Sequence, residues 1–376
     1  MLRVLHVTEA PTWGVFSLIK EFTREQSARG YDVHVLAPPR MLRLSGDVRQ
    51  HDWSISRGRP RSYLRGVHEL RRTIREVKPD IIHLHSFFGG LFGRLPVLSG
   101  LDDVAIVYQP HAWAFNMVEL ARVRLLVKAW ERFAGRRTNV MVANCAEEVE
   151  EGRRAGIAGD GIPLGIALDT DHFTPVDEAT RGHWRSELGV TTPGILLCLG
   201  RLAKQKGQDQ LVAAWEANPL PDAELVLVGI DESASLEPLA PTQWGKTIRP
   251  VQSVHDVRPW LWACDVLVLP SRYEGSAVTV PEAMACGRTV VTTLVNGVRE
   301  GVLEGPHPPA GAIVPLGAME ELLSQCARRL DDPELARAEG MAGRLRALDL
   351  FKTQEVVDRL DAAYQQARDT PSGWGR

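Results

Sequence analysis

Short runs of apolar, β-branched residues alternate along the first half of the chain with longer stretches of helical periodicity. Residues 2–7, 32–37, 80–84, 104–108 and 140–143 read as strands, with helices over 17–29 and 63–77 between them. Strands that are apolar throughout and separated by helices predict a parallel sheet covered on both faces. The pattern then restarts. Residues 195–199, 225–228, 247–251, 266–269 and 289–293 read as strands, alternating with helices near 208–217, 257–263 and 281–285. Two doubly wound α/β units in tandem fit this periodicity. The Gly- and Pro-rich segment GIPLGIALDTDHFTP, residues 161–175, is expected to join them, and the tail TPSGWGR to be disordered.

Composition agrees with two ordinary domains, since 376 residues with 44% apolar and 24% charged side chains can bury two cores. The five cysteines (Cys145, Cys198, Cys264, Cys286, Cys326) are scattered and form no CxxC pair, which argues against a disulfide framework or a zinc knuckle. No segment approaches the roughly 18 consecutive apolar residues of a spanning helix. The start, MLRVLHVTEAP, reaches Glu9 too soon for a signal peptide. A cytoplasmic protein, soluble or peripheral to a membrane, is expected.

The net charge of -3 conceals a split. Residues 1–165 hold 24 Lys+Arg against 18 Asp+Glu, giving +6, while residues 166–376 hold 20 against 29, giving -9. A basic first half suggests an anionic partner. In ARVRLLVKAWERFAGRR, Arg124, Lys128, Arg132 and Arg136 recur every four residues, with Leu125, Leu126, Trp130 and Phe133 on other faces. The expectation is ordinary packing of the apolar side beneath a solvated cationic stripe. The hypothesis set beside it is that this stripe and the arginines between Arg40 and Arg75 meet an anionic bilayer. No nucleic-acid partner is expected.

Two loops carry candidate chemistry. SRYEGSAVTVPEAMACG follows the strand ending at Leu269 and places Glu274 on the loop and Glu282 just inside the next helix. The carboxyl ends of strands in open α/β sheets are ligand sites, and helix starts attract phosphate. Glu282 there suits a vicinal diol, which a carboxylate can accept through both oxygens. LCLGRLAKQKG places Arg201, Lys204 and Lys206 at another strand end. Two cations so placed can neutralise a diphosphate without metal, an arginine by paired hydrogen bonds and a lysine as a point charge.

Taken together, GRLAKQKG, the E-x7-E of YEGSAVTVPEAMACG, IPLGIALDTDHFTP, VANCAEEVEEG and the closing FKTQEVVDRLDAAY resemble the GT-B glycosyltransferases of family 4 over nearly the whole chain. The resemblance implies two Rossmann-like domains facing a cleft. Residues 1–168 would form the acceptor-side domain, with a helix over 352–370 packing back on it, and 169–351 the donor domain. It implies retaining transfer from a nucleotide-sugar donor to a glycan or lipid-linked acceptor in envelope, exopolysaccharide or glycoconjugate synthesis, with no essential metal. Arg201 and Lys206 would hold the diphosphate, Glu282 the ribose and Glu274 the donor sugar. Backbone N–H groups of Gly275, Ser276, Ala277 and Val278 would add phosphate contacts, and main-chain groups near Val251 would meet the base. Where the family shows paired glycines after strand one, only Gly14 remains, beside Trp13, which would narrow the acceptor entrance. His111, in QPHAWAFN, matches the family's histidine at the transfer site, and His85 would shape the acceptor cleft. His6 and His34, within strands, are expected to be packing residues only.

Asp169-Thr170-Asp171 imitates a metal-binding DxD but falls in the joining segment, so a solvated loop is expected. Gly159-Asp160-Gly161 imitates a dinucleotide fingerprint without the preceding strand. Two alternatives stand beside the transferase: a nucleotide-sugar epimerase on the same fold, and a non-catalytic nucleotide-sugar-binding partner subunit.

Overall fold

A computed structural model describes residues 1–10, 13–39, 44, 47–56, 58–95, 104–157, 161–232, 234–275 and 277–370. Ser276, Gly159, Asp160 and the tail 371–376 lie outside them, as do Arg40, Arg43, Arg57 and the side chain of Trp13. The chain divides into two compact units, residues 1–168 with 353–376, and residues 169–352.

In the first unit, β1 (Arg3–Val7), β2 (Asp32–Ala37), β3 (Arg49–Asp52), β4 (Ile81–His85), β5 (Ala105–Gln109), β6 (Val140–Ala143) and β7 (Gly161–Pro163) form one sheet. Its order is β3-β2-β1-β4-β5-β6-β7, with every pairing parallel. Helices α1 (Trp13–Ala28), α2 (Arg61–Val77), α3 (Ser86–Gly93), α4 (Ala114–Met117), α5 (Ala121–Gly135) and α6 (Ala146–Arg154) connect the strands. The second unit repeats the plan with β8 (Gly194–Leu199), β9 (Ala223–Val228), β10 (Ile248–Val251), β11 (Val266–Leu269), β12 (Thr289–Thr293) and β13 (Gly311–Val314), in the parallel order β10-β9-β8-β11-β12-β13. Its helices are α7 (Glu178–Glu187), α8 (Gln208–Ala217), α9 (Arg258–Ala263), α10 (Thr279–Ala285), α11 (Met319–Asp331) and α12 (Pro333–Leu350).

The last helix, α13 (Thr353–Asp369), belongs to the first unit. Thr353 ties its start to Leu168 through the backbone (3.2 Å) and to Glu21 through its hydroxyl (3.1 Å). Arg29 at the end of α1 donates to Asp358 and Asp361 at 2.6 and 2.8 Å. Beneath these, Val356, Val357, Leu360 and Tyr364 are buried. Ion pairs at the rim are worth little, so the apolar face holds the helix.

Three edge strands escape the hydrophobic pattern for physical reasons. β3 is RQHD, a largely exposed polar edge held by its ladder to β2. β7 is three residues long and lies inside the segment expected to be a connector. β13 begins on glycine. Helix α1 starts at Trp13, four residues before the expected 17, so Gly14 lies in its first turn and not in an open loop.

α5 departs further from expectation. Val127 and Ala134 turn inward, but most of its apolar side does not lie beneath a cationic face: Leu125 and Leu126 are 68% and 70% exposed, Leu120 just before the helix is 70% exposed, and Phe133 is also exposed. Polar anchors add to the hold. Glu131, fully buried, accepts from Arg94 (2.8 Å) and from the Tyr108 hydroxyl (3.3 Å), and the Arg94 guanidinium lies over the Tyr108 ring. Arg132 donates to the Ala155 carbonyl. A buried pair with this many partners is costly to break on one side only.

Candidate functional site

Strand order fixes where ligands can enter the second unit. The chain runs outward from β8 through β9 to β10, then restarts on the other side of β8 with β11. The carboxyl ends of β8 and β11 therefore border the crevice where connections leave in opposite directions, the usual ligand position in such sheets. Arg201 and Lys206 follow β8, and Glu274 follows β11.

Backbone geometry presses these two loops together. After β8 the chain passes Gly200 and Arg201 and makes a short 3-10 turn over Lys204–Lys206. It then enters α8 through Gly207, whose φ of 69° is the left-handed conformation that glycine adopts without strain. A Cβ on Gly207 would overlap the Pro270 carbonyl oxygen, so only glycine allows the approach. Arg272 then closes the contact. Its backbone N–H donates to Gln205 O (2.8 Å), and its guanidinium reaches Lys204 O and both oxygens of Asp209 at 2.7 Å.

The result is a polar cluster at the crevice. Lys206 Nζ donates to Glu274 Oε1 at 2.8 Å. Ser271 Oγ donates to the same oxygen (2.7 Å), and Gln205 Nε2 to Oε2 (3.1 Å). Glu274 is buried, so its charge is matched by a cation and two further donors. Gln208, buried, donates to the carbonyls of Gly200 and Arg201 and fixes the bend at the tip of β8. Arg201 itself is exposed. The spacing of charges in the sequence pointed to Lys206 and Glu274, whereas Ser271, Gln205, Gln208 and Arg272 escaped notice. A polar or glycine residue immediately after a buried strand was the available clue.

Glu282 sits in the first turn of α10, where burial pushes its carboxyl up to about 8, with the Lys206 charge opposing. Gly275, Ala277 and Val278 occupy the turn before α10, and Val278 O already accepts from Glu282 N (3.2 Å). Val251 ends β10, two strands away from β8, and its carbonyl accepts from Gly229 and Ile230 (3.0 Å each). Asp169 caps its own turn, accepting from the N–H groups of Asp171 and His172.

In the first unit the corresponding crevice lies between β1 and β4. Gly14 follows β1, His85 ends β4, and His111 lies just beyond β5. His85 Nδ1 and His111 Nε2 are 2.9 Å apart. Ser86, His111 and Ala112 have φ of 61°, 54° and 110°, unusual for non-glycine residues. Such strain costs about 1–3 kcal/mol each and needs outside support. Glu148 supplies it. This buried carboxyl of α6 accepts from Ala112 N (2.6 Å) and Asn144 N (2.9 Å), although burial pushes it up to about 8. His6, expected only to pack, hydrogen-bonds His85 (2.9 Å). Among the described residues, His6, His83 and His85 also offer nitrogens within 4.8 Å of one another, close enough to share a metal ion. Both nitrogens of His6 and of His85 are already engaged by protein partners. All five cysteines are free and buried.

Comparison with known proteins bears on both units. Residues 14–170 match the domain described as Glycosyltransferase Family 4, and residues 193–332 that described as Glycosyl transferases group 1. The D-inositol 3-phosphate glycosyltransferase of Pseudarthrobacter chlorophenolicus is 30% identical over 79% of this chain and 76% of its own length. The alpha-maltose-1-phosphate synthase of Mycolicibacterium smegmatis is 27% identical over 90% and 95%. Among solved structures, a sucrose-phosphate synthase from Thermosynechococcus elongatus superposes with a TM-score of 0.83 at 21% identity, covering 97% of this chain and 99% of its own. Anabaena HepE in complex with UDP and glucose gives 0.80 at 16% identity, covering 96% and 99%.

The raised carboxyl of Glu282 has a stability consequence. Below its unfolded value near 4.5 the group is neutral in both states. As the pH rises the unfolded chain ionises first, so stability falls until the folded group also ionises near 8. Glu282→Gln should therefore melt like the wild type near pH 4.5 and at a higher temperature than the wild type at pH 8.5. Equal melting temperatures at both values would show that the carboxyl is not so perturbed.

Proposed function

This chain belongs to glycosyltransferase family 4 and is a transferase with the two-unit α/β fold called GT-B, and from that premise we propose that its donor is a nucleoside-diphosphate sugar bound at the β8/β11 crevice. The observation that carries this reading is the Lys206–Glu274 pair at 2.8 Å where the strand order reverses, with an exposed Arg201 earlier on the loop that carries Lys206. Arg201 and Lys206 bind the diphosphate and stabilise the charge that develops as the nucleotide leaves. Glu274, released in part from Lys206 as phosphate arrives, takes hydroxyls of the donor sugar, and Glu282, whose carboxyl burial raises to about 8, takes the ribose diol as a neutral acid that accepts at one oxygen and donates from the other. Main-chain groups from Gly275 to Val278 add phosphate contacts, and those near Val251 meet the base. The complex of Anabaena HepE with UDP and glucose supports a nucleotide-sugar donor of this kind.

In the first unit His111 accepts a hydrogen bond from a hydroxyl at the reacting centre, and Gly14 and Trp13 border the acceptor; His85, expected to shape the acceptor cleft, is instead fully buried and bonded at both nitrogens, so it supports His111 from behind. Transfer proceeds with retention and without an essential metal, since the paired cations supply the charge that a divalent ion would. The product is a cell-envelope or extracellular polysaccharide, a glycolipid or a similar glycoconjugate. None of the relatives compared is named as an epimerase, which leaves that alternative without support.

A lipid-linked acceptor gives α5 a place. No helix among the described residues is long and apolar enough to cross a membrane. Exposed Leu125 and Leu126 beside exposed Arg122 and Arg124 instead suit the headgroup boundary of an anionic bilayer.

Two measurements test these readings. In thermal-shift screening against UDP-, GDP- and ADP-sugars, one nucleotide class should stabilise the wild type without added magnesium, and Lys206→Ala should lose most of that shift. A strict requirement for a divalent ion would contradict the donor site. In liposome sedimentation at low salt, the protein should pellet with phosphatidylglycerol vesicles more than with phosphatidylcholine vesicles. Leu125→Asp with Leu126→Asp should remove the difference, and no preference in the wild type would end the membrane reading.

A further inference from the structure

A line of hydrogen bonds runs from the transfer-site candidate His111 into the interior of the first unit. His111 Nε2 meets His85 Nδ1 at 2.9 Å, His85 Nε2 meets His6 Nδ1 at 2.9 Å, and His6 Nε2 meets Gln26 Oε1 at 2.8 Å. Gln26 Nε2 in turn donates to the Tyr364 hydroxyl (3.3 Å), which lies 2.9 Å from His83 Nδ1. His6, His85, Gln26 and Tyr364 are all 0% exposed. The line thus joins β1, β4 and the residue after β5 to α1 and to α13, the helix that comes from the far end of the sequence.

Counting protons gives the line a direction. An imidazole in its neutral form holds one proton on one nitrogen, and the other nitrogen can only accept. Burial pushes His111 down to about 3 and His6 down to about 4, and holds His85 and His83 well below the usual range, so all four are neutral near pH 7. With the Gln26 amide nitrogen turned to Tyr364, its oxygen faces His6 and requires the proton on His6 Nε2. His6 Nδ1 must then accept, which puts the proton of His85 on Nε2, and by the same step that of His111 on Nε2. Three protons fill three gaps, and His111 Nδ1 is left bare. That nitrogen is buried beside Asn144, whose Oδ1 already accepts from Gln109 Nε2 (2.7 Å), so the Asn144 amide has its NH2 group to offer, which suits a nitrogen that carries no proton. The other branch agrees. Tyr364, accepting from Gln26, donates to His83 Nδ1, which puts the His83 proton on Nε2, where its neighbour is Gln109, whose Oε1 has no other partner.

We propose that Gln26 and Tyr364 are positioning residues that, through the imidazoles of His6 and His85, fix His111 as the tautomer with a bare Nδ1. The proposal rests on the reading of His111 as a transfer-site residue for its functional meaning, though not for its geometry. A bare Nδ1 accepts a proton or a hydroxyl hydrogen bond, whereas the reversed line would present an N–H there. The Gln26 amide is the element that selects between the two, because only it offers an oxygen at one end and an NH2 group at the other. The same three-histidine cluster that could hold a metal is, on this account, spent on hydrogen bonds.

The test is two-bond 1H–15N correlation on the full-length chain labelled with 15N-histidine, with resonances assigned by single histidine substitutions. The wild type should show the proton on Nε2 for His6, His85, His111 and His83. Tyr364→Phe, which keeps the ring but removes the hydroxyl that holds the Gln26 amide nitrogen, should leave the His83 proton on Nε2 and give His111 a second tautomer. Gln26→Leu should mix the tautomers of His6, His85 and His111, while Gln26→Glu, an acceptor at both oxygens, should keep the wild-type pattern for these three. A wild-type His111 protonated on Nδ1, or a His111 tautomer indifferent to both Tyr364→Phe and Gln26→Leu, would overturn the proposal. So would stoichiometric zinc retained after chelator treatment, since metal would take the nitrogens that the line needs. Sugar transfer by Tyr364→Phe should show a lower kcat at unchanged KM. Full transfer by His111→Ala would instead remove the catalytic reading of His111 and leave the tautomer result standing.

Discussion

The close approach of Gly207 to the Pro270 carbonyl is the constraint on which the second unit's chemistry depends. The sheet brings the ends of β8 and β11 side by side, yet adjacent strand ends do not by themselves bring side chains together. Contact requires a residue with no side chain and a left-handed backbone at the start of α8, and Gly207 meets both conditions. Once the loops touch, Arg272 ties them by bonds to Lys204, Gln205 and Asp209, and Lys206 falls within hydrogen-bonding distance of Glu274. A buried carboxylate then finds a cation and two other donors. On the proposed reading, a donor phosphate would compete with Glu274 for that same cation.

The first unit solves a related problem by other means. Its strand tips carry strained residues, Ser86, His111 and Ala112; the buried carboxyl of Glu148 holds Ala112, and hydrogen bonds that reach back through His85 and His6 hold His111. The helix closing the line, α13, packs here although the residues before it belong to the second unit. The C-terminal segment is therefore part of the support for His111, and the two ends of the chain meet in one hydrogen-bond line at Gln26 and Tyr364.

Much of this was legible beforehand. Continuous apolar runs gave the central strands of both sheets because a strand buried on both faces has no polar alternation to confuse it. Edge strands such as β3 and β7 were not legible, since their pairing comes from the ladder and not from burial. Charges at strand ends pointed to Lys206, Glu274 and Glu282, whereas Ser271, Gln205 and Arg272 are ordinary loop residues until the Gly207 contact gives them partners. His6 looked like packing because its role depends on register with β4, where it stands opposite His83, and no local pattern encodes that register. α5 misled for the opposite reason: a helical period predicts a buried face, but Arg94 and Glu131 anchor this helix while its leucines stay outside.

Hydrogen–deuterium exchange of the full chain, with and without saturating UDP, GDP and ADP in turn, tests the central claim most directly. The account predicts that the nucleotide which binds slows exchange jointly over residues 200–208 and 271–282, the two loops joined at Gly207. Protection confined to one of these loops, or centred elsewhere while both exchange at their unliganded rates, would contradict it.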